Sequence, residues 1–139
     1  MTLVAMDTVL GKLAVVACGG GLGAMARYGL DAAVRQLWPG LASRFPVGIL
    51  LVNVSGCLLF GLVVGLAGNM ASLGTGRRLF LLTGVLGGFT TFSTFGHDTA
   101  RLVAEGTGGL ALLNAGTSVT LGVGAVFAGL WLGRVVSGG

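Results

Sequence analysis

Residues 84–95 read GVLGGFTTFSTF and lie within an uncharged stretch that runs from Leu79 to Gly96. Paired glycines followed by alternating hydroxyl and phenylalanine residues weaken a helix. In a lipid bilayer, backbone groups released from a helix must bond to other protein groups or face a cavity or an ion. The stretch therefore predicts a membrane helix that is broken near its centre, at a site that serves transport.

The composition is that of an integral membrane protein. Charged residues make up 9% of the chain, whereas soluble domains have about 25%. The uncharged runs predict four membrane helices, at residues 10–30, 46–68, 79–104 and 109–134, since a spanning helix needs about 20 mostly apolar residues. We expect the third helix to break near residues 87–92. The connections are short, so we expect residues 1–139 to form a single four-helix transmembrane domain.

Glycine is unusually frequent, with 28 residues. In lipid, small residues spaced four apart let two helices approach closely. Each predicted helix contains one such pair: Gly19 and Gly23, Gly61 and Gly65, Gly84 and Gly88, and Gly129 and Gly133. The pairs predict four contact faces, although abundant glycine also produces such spacings by chance.

Lysine and arginine are balanced between the two sides of the predicted bundle. The side with both termini has Lys12, Arg77, Arg78 and Arg134, and the other side has Arg27, Arg35, Arg44 and Arg101. An excess of these residues normally keeps one side in the cytoplasm, so the balance predicts insertion in both orientations. Two opposed copies can pair as an antiparallel, dual-topology homodimer with room for a pore. A fixed orientation is the alternative, if Arg27 and Arg101 lie too deep to count.

Polar and aromatic residues within the spans are candidates for a pore lining. Asn53 has two N–H donors in the second span, although a lone asparagine in a membrane helix also serves as an interhelical hydrogen-bond residue. Phe92 and Phe95 would share one helix face. Their partly positive ring edges could contact an anion, or the rings could pack in the core. Hydroxyl donors to a pore, or to carbonyls of their own helices, could come from Ser93, Thr94 and Ser118.

The predicted break has two ends of opposite polarity. The half-helix that ends near Gly87 leaves carbonyls unpaired, which suits a cation, whereas the half-helix that starts near Thr91 presents N–H groups. Arg27, at the boundary of the first span, could give a vestibule a positive potential that attracts anions. An interfacial anchor is the alternative for Arg27.

Three motifs carry a family resemblance: GGFTTFSTF at residues 87–95, VNVSG at 52–56 and GAMARY at 23–28. They are similar to the third-helix signature, the asparagine motif and the first-helix pattern of the Fluc (CrcB) fluoride channels, so the chain resembles that family. The resemblance implies a passive, selective channel that exports fluoride across the bacterial plasma membrane and relieves fluoride toxicity. It also implies a multi-pass, dual-topology dimer with two antiparallel pores. The partners would then be fluoride, a second copy and the lipid bilayer, without nucleic acid.

The resemblance also implies roles for individual residues. The pore would be lined by Asn53, Phe92, Phe95, Ser93, Thr94 and Ser118, with Arg27 at the vestibule. A structural sodium ion at the dimer centre would be held by the backbone carbonyls of Gly87 and Thr90 from both copies. Where many members have a threonine and a tyrosine, this chain has Ile49 and Asn114, so its polar lining differs in detail.

A small dual-topology multidrug or cation exporter is the main alternative. Proton-coupled export needs an ionisable carboxylate within the membrane. None of the acidic residues lies in the middle of a predicted span, so this requirement is not met. These residues are Asp7, Asp31, Asp98 and Glu105. We expect His97 and Asp98 to be solvated or locally paired. The sequence shows no nucleophile with a base and no metal-ligand cluster, so an enzyme is not predicted.

Overall fold

The computed structural model describes residues 8–68 and 71–138, and Asp7 lies outside these ranges. All regular structure in the described residues is helical. The long helices are α1 (Val9–Leu37), α2 (Val47–Leu66), α3 (residues 75–89), α4 (Phe92–Ala104) and α5 (Gly108–Ser137). A short helical turn, Pro39–Ala42, connects α1 to α2. Together α3 and α4 form the third span.

Within the described residues, four stretches are long and apolar enough to cross a membrane: Val9–Leu37, Val47–Leu66, Thr75–Ala104 and Gly108–Ser137. The all-helical, four-span architecture is therefore confirmed. The first helix continues past residue 30 to Leu37 because the first helix-breaking residue is Pro39, which disfavours helical geometry in the residue before it. The third span begins at Thr75, directly after Gly74, whose φ of 70° suits glycine.

Helices α1 and α3 cross through their glycine faces. A Cβ added to Gly19 would lie 3.0 Å from the Cα of Gly84. Cβ atoms added to Gly23 and Gly88 would collide with backbone atoms of the opposite helix. The two backbones thus approach in the way that small residues permit in lipid.

Helices α2 and α5 form the most extensive helix pair, and their backbones also approach closely at glycine residues. A Cβ added to Gly65 would lie 3.0 Å from the Cα of Gly133, while Cβ atoms added to Gly61 and Gly129 would meet opposing backbone. All four predicted glycine pairs therefore lie at helix crossings.

Helix α3 is wound unevenly before it ends. Thr75–Arg78 and Gly87–Phe89 are α-helical, whereas Leu79–Leu86 between them form a π-helix. Such wider turns are rare in proteins overall, and those that occur are often found at functional sites. After Phe89 the chain becomes extended, with φ −78° and ψ 155° at Thr90 and φ −149° and ψ 120° at Thr91.

The predicted break of the third helix is confirmed, and it occupies Thr90 and Thr91. Gly87 and Gly88 precede the extended residues and are still helical, so the paired glycines are not the break itself. Gly88 serves the close approach to α1. The two β-branched threonines adopt the extended geometry that suits their side chains.

Candidate functional site

Asn53, on α2, holds the break through two hydrogen bonds to the backbone of Thr91. Its Nδ2 donates to the Thr91 carbonyl at 3.1 Å, and its Oδ1 accepts from the Thr91 N–H at 2.8 Å. The carboxamide thereby satisfies both backbone groups of a residue that lies between two helices. The interhelical role that sequence reasoning allowed for Asn53 is therefore present.

Thr91 also caps the N-terminus of α4. Its Oγ1 accepts a hydrogen bond from the Thr94 N–H at 3.3 Å, as a threonine at an N-cap commonly does. The Ser93 hydroxyl lies 3.3 Å from Thr91 Oγ1, and the Thr94 hydroxyl lies 3.1 Å from it. The hydroxyls of Ser93 and Thr94 are thus gathered around the cap.

The carbonyls of residues 87–90 lose the donors that a continuous helix would provide, and for Gly87 and Thr90 the structure shows which group takes the donor instead. In an α-helix, each carbonyl accepts from the N–H four residues later. The Thr91 N–H, which would reach Gly87, bonds to Asn53 instead. The Thr94 N–H, which would reach Thr90, bonds to the Thr91 hydroxyl. The Gly87 and Thr90 carbonyls are released where the helix dipole is negative.

A cleft of about 260 Å³ opens beside the break, and we call it the central cleft. Its lining residues are Asn53, Cys57, Thr90, Thr91, Phe92, Phe95, Ser118 and Val119. The tertiary structure therefore brings together the predicted pore residues of α2, α4 and α5, which are Asn53, Phe92, Phe95 and Ser118. The other two, Ser93 and Thr94, are not among the lining residues.

Phe92 and Phe95 form an aromatic wall of the central cleft. Their ring centroids lie 5.5 Å apart and their planes are inclined by 43°, within the range of favourable aromatic pairs. Phe92 is 83% exposed. Core packing within one copy of the chain therefore does not account for Phe92.

The Ser118 hydroxyl is buried and has no hydrogen-bond partner among the described residues. Its neighbour Thr117 bonds to the Leu113 carbonyl of its own helix at 2.7 Å, which is the alternative that sequence reasoning left open for Ser118. A buried hydroxyl without a partner costs about 1–3 kcal/mol. A water or an anion in the central cleft would remove that cost.

A second cleft, of about 180 Å³, adjoins the central cleft, and we call it the carbonyl cleft. The two clefts share Cys57 and Thr90, and the carbonyl cleft also contains Gly87. Within residues 8–68 and 71–138, no group of three or more His, Cys, Asp or Glu side chains could hold a metal ion. Released carbonyls at broken helices are known ligands of monovalent cations. The chemistry of this cleft therefore suits a cation held by backbone oxygens.

Asn114 connects α5 to α4 beside the central cleft. It is 2% exposed, and its Nδ2 donates to the Thr99 hydroxyl at 2.9 Å. Thr99 in turn donates to the Phe95 carbonyl at 2.8 Å. An asparagine in an apolar run signals such a role, but the partner could not be identified from the sequence.

Of the two alternatives expected for His97 and Asp98, His97 is solvated and Asp98 is locally paired. Asp98 is 9% exposed, whereas the side chain of His97 is 77% exposed. Its Oδ1 lies 3.7 Å from His97 Nδ1, so local pairing is present. Its Oδ2 is buried and has no hydrogen-bond partner in the described part of the chain. Asp98 shares the inner face of α4 with the buried Leu102, one turn later.

Arg27 is half-buried on α1 and lines neither cleft. Elsewhere, Arg35 pairs with Asp31 at 2.9 Å and Arg101 pairs with Glu105 at 3.0 Å. Arg27 has no such acidic partner among the residues that the structure describes. Its charge is thus free to contribute to the potential around the protein.

Comparison with known proteins gives extensive matches. The family described as CrcB-like protein, Camphor Resistance (CrcB), matches residues 14–130. A fluoride-specific ion channel FluC of Nitratidesulfovibrio vulgaris is 42% identical over 125 residues, which cover 90% of this chain and 98% of the relative. Proteins of the same name from Beijerinckia indica and Paracoccus denitrificans are 46% and 47% identical, covering 88% and 86% of this chain and 96% and 91% of the relatives.

Proposed function

The chain belongs to the CrcB-like family, and we propose that it is a fluoride channel. The relatives that match nearly its whole length are named for fluoride-specific conduction. Conduction is passive, since the ion moves down its gradient and no bond is made or broken, so the protein is not an enzyme. As a multi-pass protein of the bacterial cell membrane, it exports fluoride and relieves fluoride toxicity.

The central cleft carries this proposal. Fluoride is small and strongly hydrated, so a pore must replace its water with hydrogen-bond donors without binding the ion too tightly. The amide of Asn53 has two N–H groups, of which one is bonded to the Thr91 carbonyl, so the second is available to the cleft. Ser118 lines the same cleft, and its buried hydroxyl has no hydrogen-bond partner within the described residues.

Phe92 and Phe95 supply the rest of the wall. An anion is stabilised beside the edge of an aromatic ring and repelled by its face. A narrow and rigid wall formed by the two rings would exclude chloride because the chloride ion itself is larger than fluoride, and this is our hypothesis for the selectivity. Ser93 and Thr94, whose hydroxyls lie beside Thr91 Oγ1, would add donors next to the central cleft. Arg27 raises the concentration of anions at the vestibule.

The working unit is an antiparallel, dual-topology homodimer with two antiparallel pores. In one copy the central cleft is open to the surroundings and Phe92 exposes most of its surface, so a second copy would complete the wall. The balance of lysine and arginine permits insertion in both orientations. A two-fold axis in the membrane plane then generates two equivalent pores.

A structural sodium ion at the dimer centre binds the released carbonyls. Gly87 and Thr90 from each copy would supply four backbone oxygens around the two-fold axis. Lipid cannot satisfy such carbonyls, and their helical donors are bonded elsewhere. The ion is structural and is not transported with fluoride.

The small multidrug or cation exporter is not favoured. Asp98 is buried on α4, so the lack of an acidic residue inside the bundle no longer argues against proton-coupled export. Membership of the CrcB-like family argues against it instead, because the relatives are named for fluoride.

Ion efflux from liposomes that contain the purified protein tests the proposal. We expect the wild-type protein to release fluoride but not chloride. Fluoride efflux should be lost in Asn53→Ala and in Phe92→Ala. Phe127→Ala is the matched control, since Phe127 is an exposed aromatic residue of α5 outside the central cleft. Chloride efflux at a similar rate, or proton-driven movement of a cationic drug, would contradict the proposal.

A further inference from the structure

We propose that Asn53 builds the cation site, because it withholds the Thr91 N–H from the Gly87 carbonyl. The inference rests on the proposed function and deepens it. It gives Asn53 a positioning role toward the cation, in addition to the hydrogen bond that its second N–H offers to fluoride.

The competition for the Thr91 N–H is the first step. A continuous helix through the third span would direct this N–H to the Gly87 carbonyl, four residues earlier. Asn53 Oδ1 takes it instead, at 2.8 Å, from a different helix. Without Asn53, the helical bond can form again and the Gly87 oxygen is no longer free for a cation.

The second step concerns the Thr90 carbonyl, whose helical donor would be the Thr94 N–H. That N–H is held by the Thr91 hydroxyl at 3.3 Å. The hydroxyl can hold it only while Thr91 keeps its extended conformation, and the two bonds from Asn53 maintain that conformation. Asn53 thus acts on both carbonyls, directly on Gly87 and through Thr91 on Thr90.

A carboxamide is the group that this role requires. The Thr91 backbone presents an N–H donor and a carbonyl acceptor. Asn53 Oδ1 accepts from the N–H, and Asn53 Nδ2 donates to the carbonyl. A carboxylate has no N–H for the Thr91 carbonyl, and a hydroxyl cannot span both backbone groups. Asn53 Nδ2 retains a second hydrogen for the central cleft.

Sodium and Asn53 should therefore favour the same conformation. A cation on the Gly87 carbonyl removes an acceptor that competes with Asn53 for the Thr91 N–H. The two clefts adjoin at Thr90, next to the residue that Asn53 holds. Loss of Asn53 should then weaken cation binding as well as fluoride conduction, whereas residues that only line the pore should affect conduction alone.

Sodium-dependent thermal stabilisation of the purified protein in detergent tests the inference, with NaCl compared against choline chloride at equal ionic strength. A ligand that binds the native state raises Tm with its concentration. Asn53→Ala should weaken the apparent sodium affinity by about 10- to 100-fold, as for residues that orient metal ligands. Thr91→Val keeps the backbone bonds to Asn53 but removes the acceptor for the Thr94 N–H, so it should weaken the affinity less. Thr91→Val also supplies the measurement if Asn53→Ala does not fold.

Ser118→Ala and Asn114→Ala are the matched controls. The first removes a hydroxyl from the same cleft, and the second removes a buried amide that does not contact the break. Both should keep the wild-type sodium affinity, even where Asn114→Ala lowers Tm. Wild-type sodium affinity in Asn53→Ala would overturn the inference, and loss of fluoride efflux in that variant would still support the channel. Absence of sodium stabilisation in a wild-type protein that conducts fluoride would overturn the cation site and this inference together.

Discussion

Asn114 on α5 donates a 2.9 Å hydrogen bond to the hydroxyl of Thr99 on α4, inside the helix bundle. Helix α4 carries Phe95, and α5 carries Ser118 one turn after Asn114. The bond therefore sets the distance between two walls of the central cleft. Because Thr99 also donates to the Phe95 carbonyl, its hydroxyl is used as both donor and acceptor.

Thr99→Val should lower the free energy of unfolding by about 1–3 kcal/mol, because it leaves the buried Asn114 amide without an acceptor. Reversible unfolding in mixed detergent micelles would measure the change. The double variant with Asn114→Leu should recover part of the loss, since no unpaired donor remains. The control is Thr117→Val, whose hydroxyl bonds within its own helix. An equal loss in this control would argue against the interhelical bond.

Gly129→Ala should destabilise the protein by about 1–3 kcal/mol, the usual cost of overpacking. A Cβ at this position would meet the Leu58 carbonyl and lie 2.7 Å from the Leu62 nitrogen. Gly124→Ala on the same helix is the control, since its Cβ would have nothing within 4 Å. The same unfolding measurement applies, and a neutral Gly129→Ala would show that the α2–α5 crossing is looser than described.

Ser118→Ala should reduce fluoride efflux without lowering the free energy of unfolding, because a buried hydroxyl that has no protein partner contributes no structural hydrogen bond. Its hydroxyl makes no hydrogen bond to the described residues, so no structural bond is lost. Ser118→Thr, which keeps a hydroxyl, should retain more efflux than Ser118→Ala. Efflux and unfolding would be measured on the same preparations. Unchanged efflux in Ser118→Ala would show that the Ser118 hydroxyl does not contribute to fluoride conduction.

Replacing both Phe92 and Phe95 with leucine should weaken fluoride selectivity over chloride. Leucine has no ring edge for an anion, and an aromatic contact contributes about 1 kcal/mol, or about fivefold in rate or affinity. The ratio of fluoride to chloride efflux from liposomes would report the change. If the double variant stays as selective as the wild type, the aromatic wall does not reject chloride.

Neutralising Arg77 and Arg78 together should bias insertion toward one orientation, because it leaves two positive residues facing four. C-terminal reporters that are active on only one side of the membrane would measure the bias. Fluoride efflux in cells should fall, since antiparallel partners become scarce. The double Arg→Lys variant keeps the charge and should insert like the wild type. If the neutralised variant and the Arg→Lys variant show the same distribution of orientations, the result would favour a fixed orientation.

The four spans and the broken third helix were predictable because the bilayer allows few solutions for an apolar chain. The glycine pairs were also informative, since close helix approach in lipid needs small residues. The π-helix over Leu79–Leu86, which packs against α1, was not predictable, because no local motif in the sequence marks it. The same holds for the burial of Asp98, which depends on how α4 is rotated toward its neighbours.

A four-helix membrane protein with a weak third helix and a polar, aromatic motif beside it follows from the amino-acid sequence alone. Composition and periodicity suffice for this, since lipid excludes unsatisfied backbone. The position of the break at Thr90 and Thr91, and its stabilisation by Asn53, 38 residues away from Thr91, became visible only in the folded chain. A hydrogen bond between distant residues depends on helix packing, and packing determines which carbonyls keep their donors and which are released.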